Sequence, residues 1–227
     1  MTDKFSTFSK VTLLAGLSLS IPSVQAALVQ IPQPDAAYTS STTLLPITGN
    51  DGDTTTSLSD ANLTVTFSTD MQKFIGSWGN WGTPPTVETS TPNVLAPVDF
   101  LNVNSFVMSF STGLRTFGIE VEPDAFTQGF FPVSVQFFNG ATSLGTLIDS
   151  MDGSTAELFA AMSTTPITSV IVTISGNSNL PAGTDPAIAQ VRYNLAATAV
   201  PEPAVMFTGA AGLALLAGLR RYGSCHS

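Results

Sequence analysis

The sequence predicts an all-β fold, an antiparallel β-sandwich of jelly-roll type followed by a C-terminal transmembrane helix. Three observations lead there. Between residues 60 and 195, short segments alternate apolar with polar residues and are separated by Gly, Pro and Asn turns. No stretch of this body keeps a 3.6-residue apolar period; Ser154–Met162 has room for no more than one helical turn. An uncharged run from Ala204 to Leu219 follows a proline-bounded linker at the far end.

The N-terminus has two lysines, Lys4 and Lys10, then an apolar run from Val11 to Ile21, then Val24-Gln25-Ala26 with small residues where a signal peptidase needs them. Residues 1–26 therefore read as a signal peptide, the run being too short for the ~20 residues of a spanning helix. Residues 27–59 form a Thr/Ser/Pro-rich arm with one apolar patch, Leu44–Ile47, that suits a single strand. In the body at 60–195, Leu63, Val65 and Phe67 alternate with hydroxyl residues, as do Phe106, Met108 and Phe110, then Phe117, Ile119 and Val121. Val133, Val135 and Phe137 lead into Asn139-Gly140, a hairpin signal, followed by Leu144–Ile148. Ile167–Ser175 is the strongest strand and Ala187–Leu195 the last. Six to nine such strands have to pack as two antiparallel layers.

Composition excludes several functions. Only 10% of residues are charged, where about 25% is usual, and the net charge is −9. Within 27–200 the basic residues are Lys73, Arg115 and Arg192, too few to neutralise phosphates, so nucleic acid is excluded as a partner. The single cysteine and single histidine are Cys225 and His226, in the tail. The body thus lacks the residues for a disulfide, a Cys/His metal centre, a Ser-His-Asp triad or a catalytic thiol, and no cofactor or metal is expected.

At the C-terminus a linker, 196–203, contains Pro201-Glu202-Pro203; a helix of 16 residues, 204–219, follows, and a basic tail, 220–227, begins with Arg220-Arg221. The helix covers about 24 Å, a marginal span that snorkelling arginines extend. Positive charge stays in the cytoplasm, which places the body outside. The other reading of 204–219 is a buried helix of the domain. Ala210, Ala214 and Gly218 share a face that suits helix packing in lipid, although small residues are common throughout the run.

These residues resemble the PEP-CTERM sorting signal, catalogued elsewhere as the ice-binding protein C-terminal domain, a name that does not imply ice binding. The resemblance covers 200–221. It implies recognition of Pro201, Glu202 and Pro203 by an exosortase, a membrane protease-transpeptidase of exopolysaccharide-producing bacteria, with 204–219 as a transient anchor and Arg220 and Arg221 as the membrane stop. Six residues follow the arginines, where the family often ends at once. The segments Thr116–Glu122, Val133–Phe138, Leu144-Gly145, Leu158–Ala161, Pro166–Ser175 and Ile188–Asn194 further resemble secreted β-sandwich domains found ahead of such tails. Many of those carry Ile-Asp-Asp in the last strand; here Ile188-Ala189-Gln190 lacks the acidic pair, so a ligand site at that edge is not carried over.

Five places in the body offer chemistry, each with an ordinary alternative. Trp78 and Trp81, in a glycine-rich loop, suit stacking on sugar rings or capping of the core. Asn50-Asp51-Gly52-Asp53 places oxygens close together but lacks the further carboxylates of a calcium loop, and reads as an Asx turn; Asp149 and Asp152 read as another turn. Glu120, Glu122 and Asp124 share a strand face at a spacing that a glycosidase pair tolerates, but are also what a solvated face looks like. Phe126, Phe130 and Phe131 are expected to close the sandwich mouth rather than to present a partner surface.

The function this supports is non-enzymatic: a module exported through the inner membrane, transiently anchored, then acting at the cell surface or in the extracellular exopolysaccharide matrix, by binding carbohydrate or by structural cohesion. Its partners would be an exosortase-like transpeptidase and exopolysaccharide. One alternative is a polysaccharide hydrolase or lyase using Glu120 and Glu122. Another is an ice- or surface-adsorbing protein, which needs a flat threonine array across several strands; Leu63-Thr64-Val65-Thr66 is a single instance.

Overall fold

The computed structural model describes residues 28–98, 103–124, 129–153, 155–175 and 185–197. The signal segment, Pro201-Glu202-Pro203, the run 204–219, Arg220, Arg221 and Phe126 lie outside the described residues. Among the described residues no helix is long and apolar enough to cross a membrane. The elements are β1 (Leu28–Ile31), α1 (Ala36–Ser41), β2 (Thr43–Leu44), β3 (Thr54–Ser59), β4 (Thr64–Phe74), β5 (Val94–Pro97), β6 (Ser105–Asp124), β7 (Phe130–Asn139), β8 (Thr142–Asp152), β9 (Glu157–Ile174) and β10 (Asp185–Leu195). The fold is all-β, and the strand pairings among these residues are antiparallel.

Two long strands turn one hydrogen-bonded sheet into a sandwich-like structure. β6, of 20 residues, and β9, of 18, run side by side through both layers. Their register is regular from Ser105 to Ser109, slips between Ser109, Leu114 and Thr116, and is regular again to Val121. Such slips bend a pair of strands sharply enough to turn a corner. Gly113 sits at the bend, where an added Cβ would lie 2.8 Å from Pro166, so only glycine lets the two corners nest. In the first layer the strand order is β3-β4-β6-β9-β7-β8; in the second, β10 joins the far half of β6, with β2 and β5 beside it and β1 on β9.

The alternating residues face one another across the central core. Phe106 and Met108 from the first half of β6 join Phe117, Ile119 and Val121 from the second, with Val170, Val172 and Ile174 of β9 and Val133, Val135 and Phe137 of β7. Asn139-Gly140 turns β7 into β8, Gly140 taking φ +55°. Asp149 and Asp152, expected in a turn, lie within β8 because that strand runs on past Met151, which is buried in the core.

Residues 27–59 are more closely integrated than a lone-strand arm. Val29 pairs with Met162, Thr43 with Tyr193 and Ser57 with Thr66, and Leu45 and Ile47 are buried in the core. Helix α1 is too short to leave a periodic signal. Asp35 caps it, its Oδ1 accepting the Tyr38 N–H at 2.8 Å, and Tyr38 is its one buried residue. The phenol lies over the backbone of Gly118, where a side chain would collide with Tyr38 and meet the Ala160 Cβ at 2.6 Å. Its buried hydroxyl has no hydrogen-bond partner among the described residues.

Gly118→Ala is therefore expected to destabilise by about 1–3 kcal/mol through overpacking. Tyr38→Phe, which removes a buried hydroxyl that gains nothing, is expected to stabilise by about 1 kcal/mol. The double variant should recover part of the Gly118 loss, because both changes act at one contact. Urea midpoints of the three variants check all of this.

Candidate functional site

The second half of β6 is buried on both faces. Phe117, Ile119 and Val121 face the central core, while Gly118, Glu120 and Glu122 face the other way, into a second and smaller cluster. Trp81, Val87, Val94, Ala96, Ala156, Ala187 and Ala189 make up that cluster. The neighbouring strands supply small residues on this side: Ala189 pairs with Glu120, Ala187 with Glu122 and Ala160 with Gly118. The depth they leave is filled by the segment 75–93, which crosses the sheet as a strap, and by α1 over Gly118 and Ala160.

The expected solvated acidic face is thus replaced by a covered one. Glu120 has 0% of its surface exposed and Glu122 is also buried. The reason is hydrogen bonding: the Trp81 indole N–H donates to Glu120 Oε2 at 2.7 Å, the Glu88 backbone N–H donates to Glu120 Oε1 at 2.6 Å, and the Trp78 N–H donates to Glu122 Oε2 at 2.9 Å. A buried carboxylate is tolerated where donors replace the water it has lost. Behind this layer, Arg192 Nε donates to Glu88 Oε1 at 2.6 Å, and its Nη1 reaches the carbonyls of Thr39 and Thr42 at the end of α1. Burial, the largest effect, pushes the Glu120 carboxyl up to about 7, and the Glu88 charge adds to it; the hydrogen bonds from Trp81 and Glu88 N–H and the Arg192 charge pull the other way. Burial likewise holds the Tyr38 phenol far above its ordinary range.

The tryptophan pair is placed differently from an exposed platform. Trp81 is completely buried and presents no face to a sugar. Its burial follows from its N–H reaching Glu120 and from the Ala156 N–H donating to its carbonyl at 2.9 Å. Trp78 is half-buried, edge-to-face with Phe74 at 4.8 Å between centroids and with Trp81 at 6.4 Å. The strap is held at both ends as well. Asp51 Oδ1 accepts from the Ile75 N–H and the Ser77 hydroxyl, and Asn93 Nδ2 donates to the Ile47 carbonyl.

Asp51 therefore acts as an anchor for the strap. Asp53 Oδ2 accepts the Asn50 N–H in a local turn, as the Asx reading expects. No group of three His, Cys, Asp or Glu that could hold a metal occurs among the described residues. Elsewhere, burial and the nearby Asp149 raise the Glu157 carboxyl. Phe131 is buried as expected, whereas Phe130 is 74% exposed, pointing outward from the first residue of β7.

As arranged, this site clamps a loop to a sheet. Both oxygens of Glu120 are engaged from above by the strap, unlike the open carboxyl pair that glycoside hydrolysis uses. Sequence reading missed Glu88, Arg192 and Tyr38. The signal for Arg192 was its isolation: a lone arginine in an apolar terminal strand calls for a carboxylate partner nearby.

No family model and no curated protein matches the chain. Among solved structures, it is similar to the enzymatically active domain of tailspike protein 4 of bacteriophage CBA120, at 15% identity over 60% of this chain and 20% of that one, TM-score 0.29. It is also similar to a structure of CBM51-2 in complex with GlcNAc and INT domains from Clostridium perfringens ZmpB, at 13% identity over 70% of this chain and 42% of that one, TM-score 0.34. The chain spans less than half the length of either, and no residue role is taken from them.

The Glu120 carboxyl gives a pH signature. The native state holds its proton up to about 7, while the unfolded chain releases it near 4.5. The stability it contributes is complete below 4.5 and is lost as pH rises through 7, a change of roughly 3 kcal/mol. Thermal melting temperature is therefore expected to fall between pH 4.5 and 7.5 at constant ionic strength. Glu120→Gln should flatten that slope whatever it does to the absolute stability.

Proposed function

We propose that this chain is an exported, non-enzymatic β-sandwich module, directed by Pro201-Glu202-Pro203 through an exosortase-like enzyme to the cell surface or the exopolysaccharide matrix, where it binds carbohydrate or gives the matrix cohesion. The observation that carries the non-enzymatic reading is the covering of Glu120 and Glu122, the acid pair that the hydrolase or lyase alternative would use. Trp78 is the part of the tryptophan pair that retains surface, braced by Phe74, Trp81 and Glu122; an aromatic ring with its rotamer already fixed binds at low entropic cost.

The purified chain, titrated against a panel of polysaccharides, is expected to bind saturably without releasing reducing ends; release of product would overturn the non-enzymatic reading. If the strap carries a sugar contact, Trp78→Ala should weaken binding roughly tenfold while the melting temperature moves little. Trp81→Ala should instead destabilise by about 3–5 kcal/mol as a core truncation. For the sorting step, Glu202→Ala is expected to leave the unprocessed chain in the inner membrane; release with an unchanged C-terminal mass would refute the role of the motif.

A further inference from the structure

The two layers differ on their outer sides. The second is covered by the strap and α1, while the first carries a row-by-row array of side chains assembled from six strands. Along one row, Ser57 of β3 pairs with Thr66 of β4, Thr66 with Ser109 of β6, and Ser109 with Ser169 of β9. Two residues on, Val107 pairs with Ile171, then Gln136 and Thr146 of β7 and β8. Two further on, Ser105 pairs with Thr173, then Ser134 and Ile148. The register from β6 through β9 to β7 is unbroken over these rows, β4 joins the first row at Thr66, and none of the residues named is charged. Thr66, Ser105, Ser109 and Thr146 are exposed, and Ile148 is 72% exposed.

Some of the hydroxyls are already oriented. Ser105 Oγ donates to the Val172 carbonyl and lies 2.8 Å from Thr173 Oγ1, and beside Val107 the Ser68 Oγ accepts that residue's N–H at 2.9 Å. Thr66, Ser109 and Ser169 make no side-chain hydrogen bond to other described residues, which leaves them for a ligand. Between the two hydroxyl rows, Val107 and Ile171 form an apolar strip.

We propose that this face is a docking surface for an uncharged polysaccharide laid flat across the strands. The proposal rests on the carbohydrate reading above and moves its main contact from the strap to the opposite layer. Charge selects the occupant: a polyanion meets a chain of net charge −9 with no cation in these rows, and a polycation finds no carboxylate in them. Size argues against a stable protein partner. Six strands at ~4.8 Å and three rows at ~6.8 Å make a grid of about 24 by 14 Å. That is roughly 330 Å², against the 800 Å² or so per partner of a stable protein interface. A neutral glycan suits the pattern, with hydroxyls matched to the Ser/Thr rows and its C–H faces lying on Val107 and Ile171. Each such hydrogen bond is weak, about 0.5–1.5 kcal/mol, so retention should come from many repeats engaged together on a polymer and should be nearly independent of salt.

The test measures retention of the full chain on insoluble cellulose, curdlan and amylose, with alginate beads as the polyanion. We expect retention on at least one glucan that survives molar salt and falls roughly tenfold in Thr66→Lys/Ser109→Lys, a larger loss than in Trp78→Ala. Melting temperatures monitor folding; should the lysine variant not fold, Thr66→Val/Ser109→Ala removes the hydroxyls without adding charge and should still lose retention. Glucan retention lost in Trp78→Ala but kept in both face variants would uphold the carbohydrate reading and overturn this one. Retention on alginate alone would overturn the uncharged occupant. Inhibition of ice recrystallisation, lost in the face variants with no glucan retention, would do so too. No retention on any polymer would remove both readings.

Discussion

Glu120 is a carboxyl group without exposed surface at the centre of a strand buried on both faces, and the architecture of the second layer follows from satisfying it. An unpartnered carboxylate at that depth would cost several kcal/mol. Its donors, the Trp81 indole and the Glu88 amide, both come from the strap, so the strap must lie down for the strand to stay buried. Glu88 then places a second carboxylate in the same region, and Arg192 answers it. Arg192 can do so because of a bulge. Ala189 pairs with Glu120 and Arg192 with Gly118, three residues against two, with Gln190 at φ +48°. Strict alternation from Ala189 would send Arg192 into the central core; the extra residue sends Val191 there and turns Arg192 outward to Glu88 and α1.

Most of the central core was legible in the sequence because each strand carries its own alternation. Phe106/Met108, Phe117/Ile119/Val121 and Val170/Val172/Ile174 all point where the pattern says, and Asn139-Gly140 turns where its chemistry says. The same rule failed at Glu120 and Glu122. Polar residues opposite an apolar set normally mean solvent, and nothing in that strand alone reveals a second cover. The cover lies 39 and 44 residues away, at Trp81 and Trp78. The hint was in the partner strand: Ala187-Ile188-Ala189 is apolar at both parities, the mark of a strand buried on two sides. Helix α1, with a single buried residue and a short turn, left no period to detect.

The hydroxyl rows were hidden for a different reason. Thr64-Val65-Thr66 and Ser105–Ser109 are each unremarkable, since outward positions of any exported strand are often Ser or Thr. What makes a surface of them is the register between strands distant in sequence, Thr66 to Ser109 to Ser169, and register is a property of the fold rather than of any one segment. The two corners in β6 and β9 set it, because they fix where the first layer starts counting from the second.

These two features divide the molecule between stability and contact. The only cysteine, Cys225, is in the tail, so no disulfide within 28–197 holds the body together. The segment 75–93 forms no strand, and such segments are where proteases usually cut. Here it is fastened by Asp51 and Ile47 at its ends and by Glu122 and Glu120 between them, with Glu88 tied on to Arg192. Burying acids under tryptophans therefore gives up a reactive surface and gains a closed one. The opposite layer carries no such cover over its outer rows, where uncharged hydroxyl groups alternate with Val107, Ile171 and the exposed Ile148.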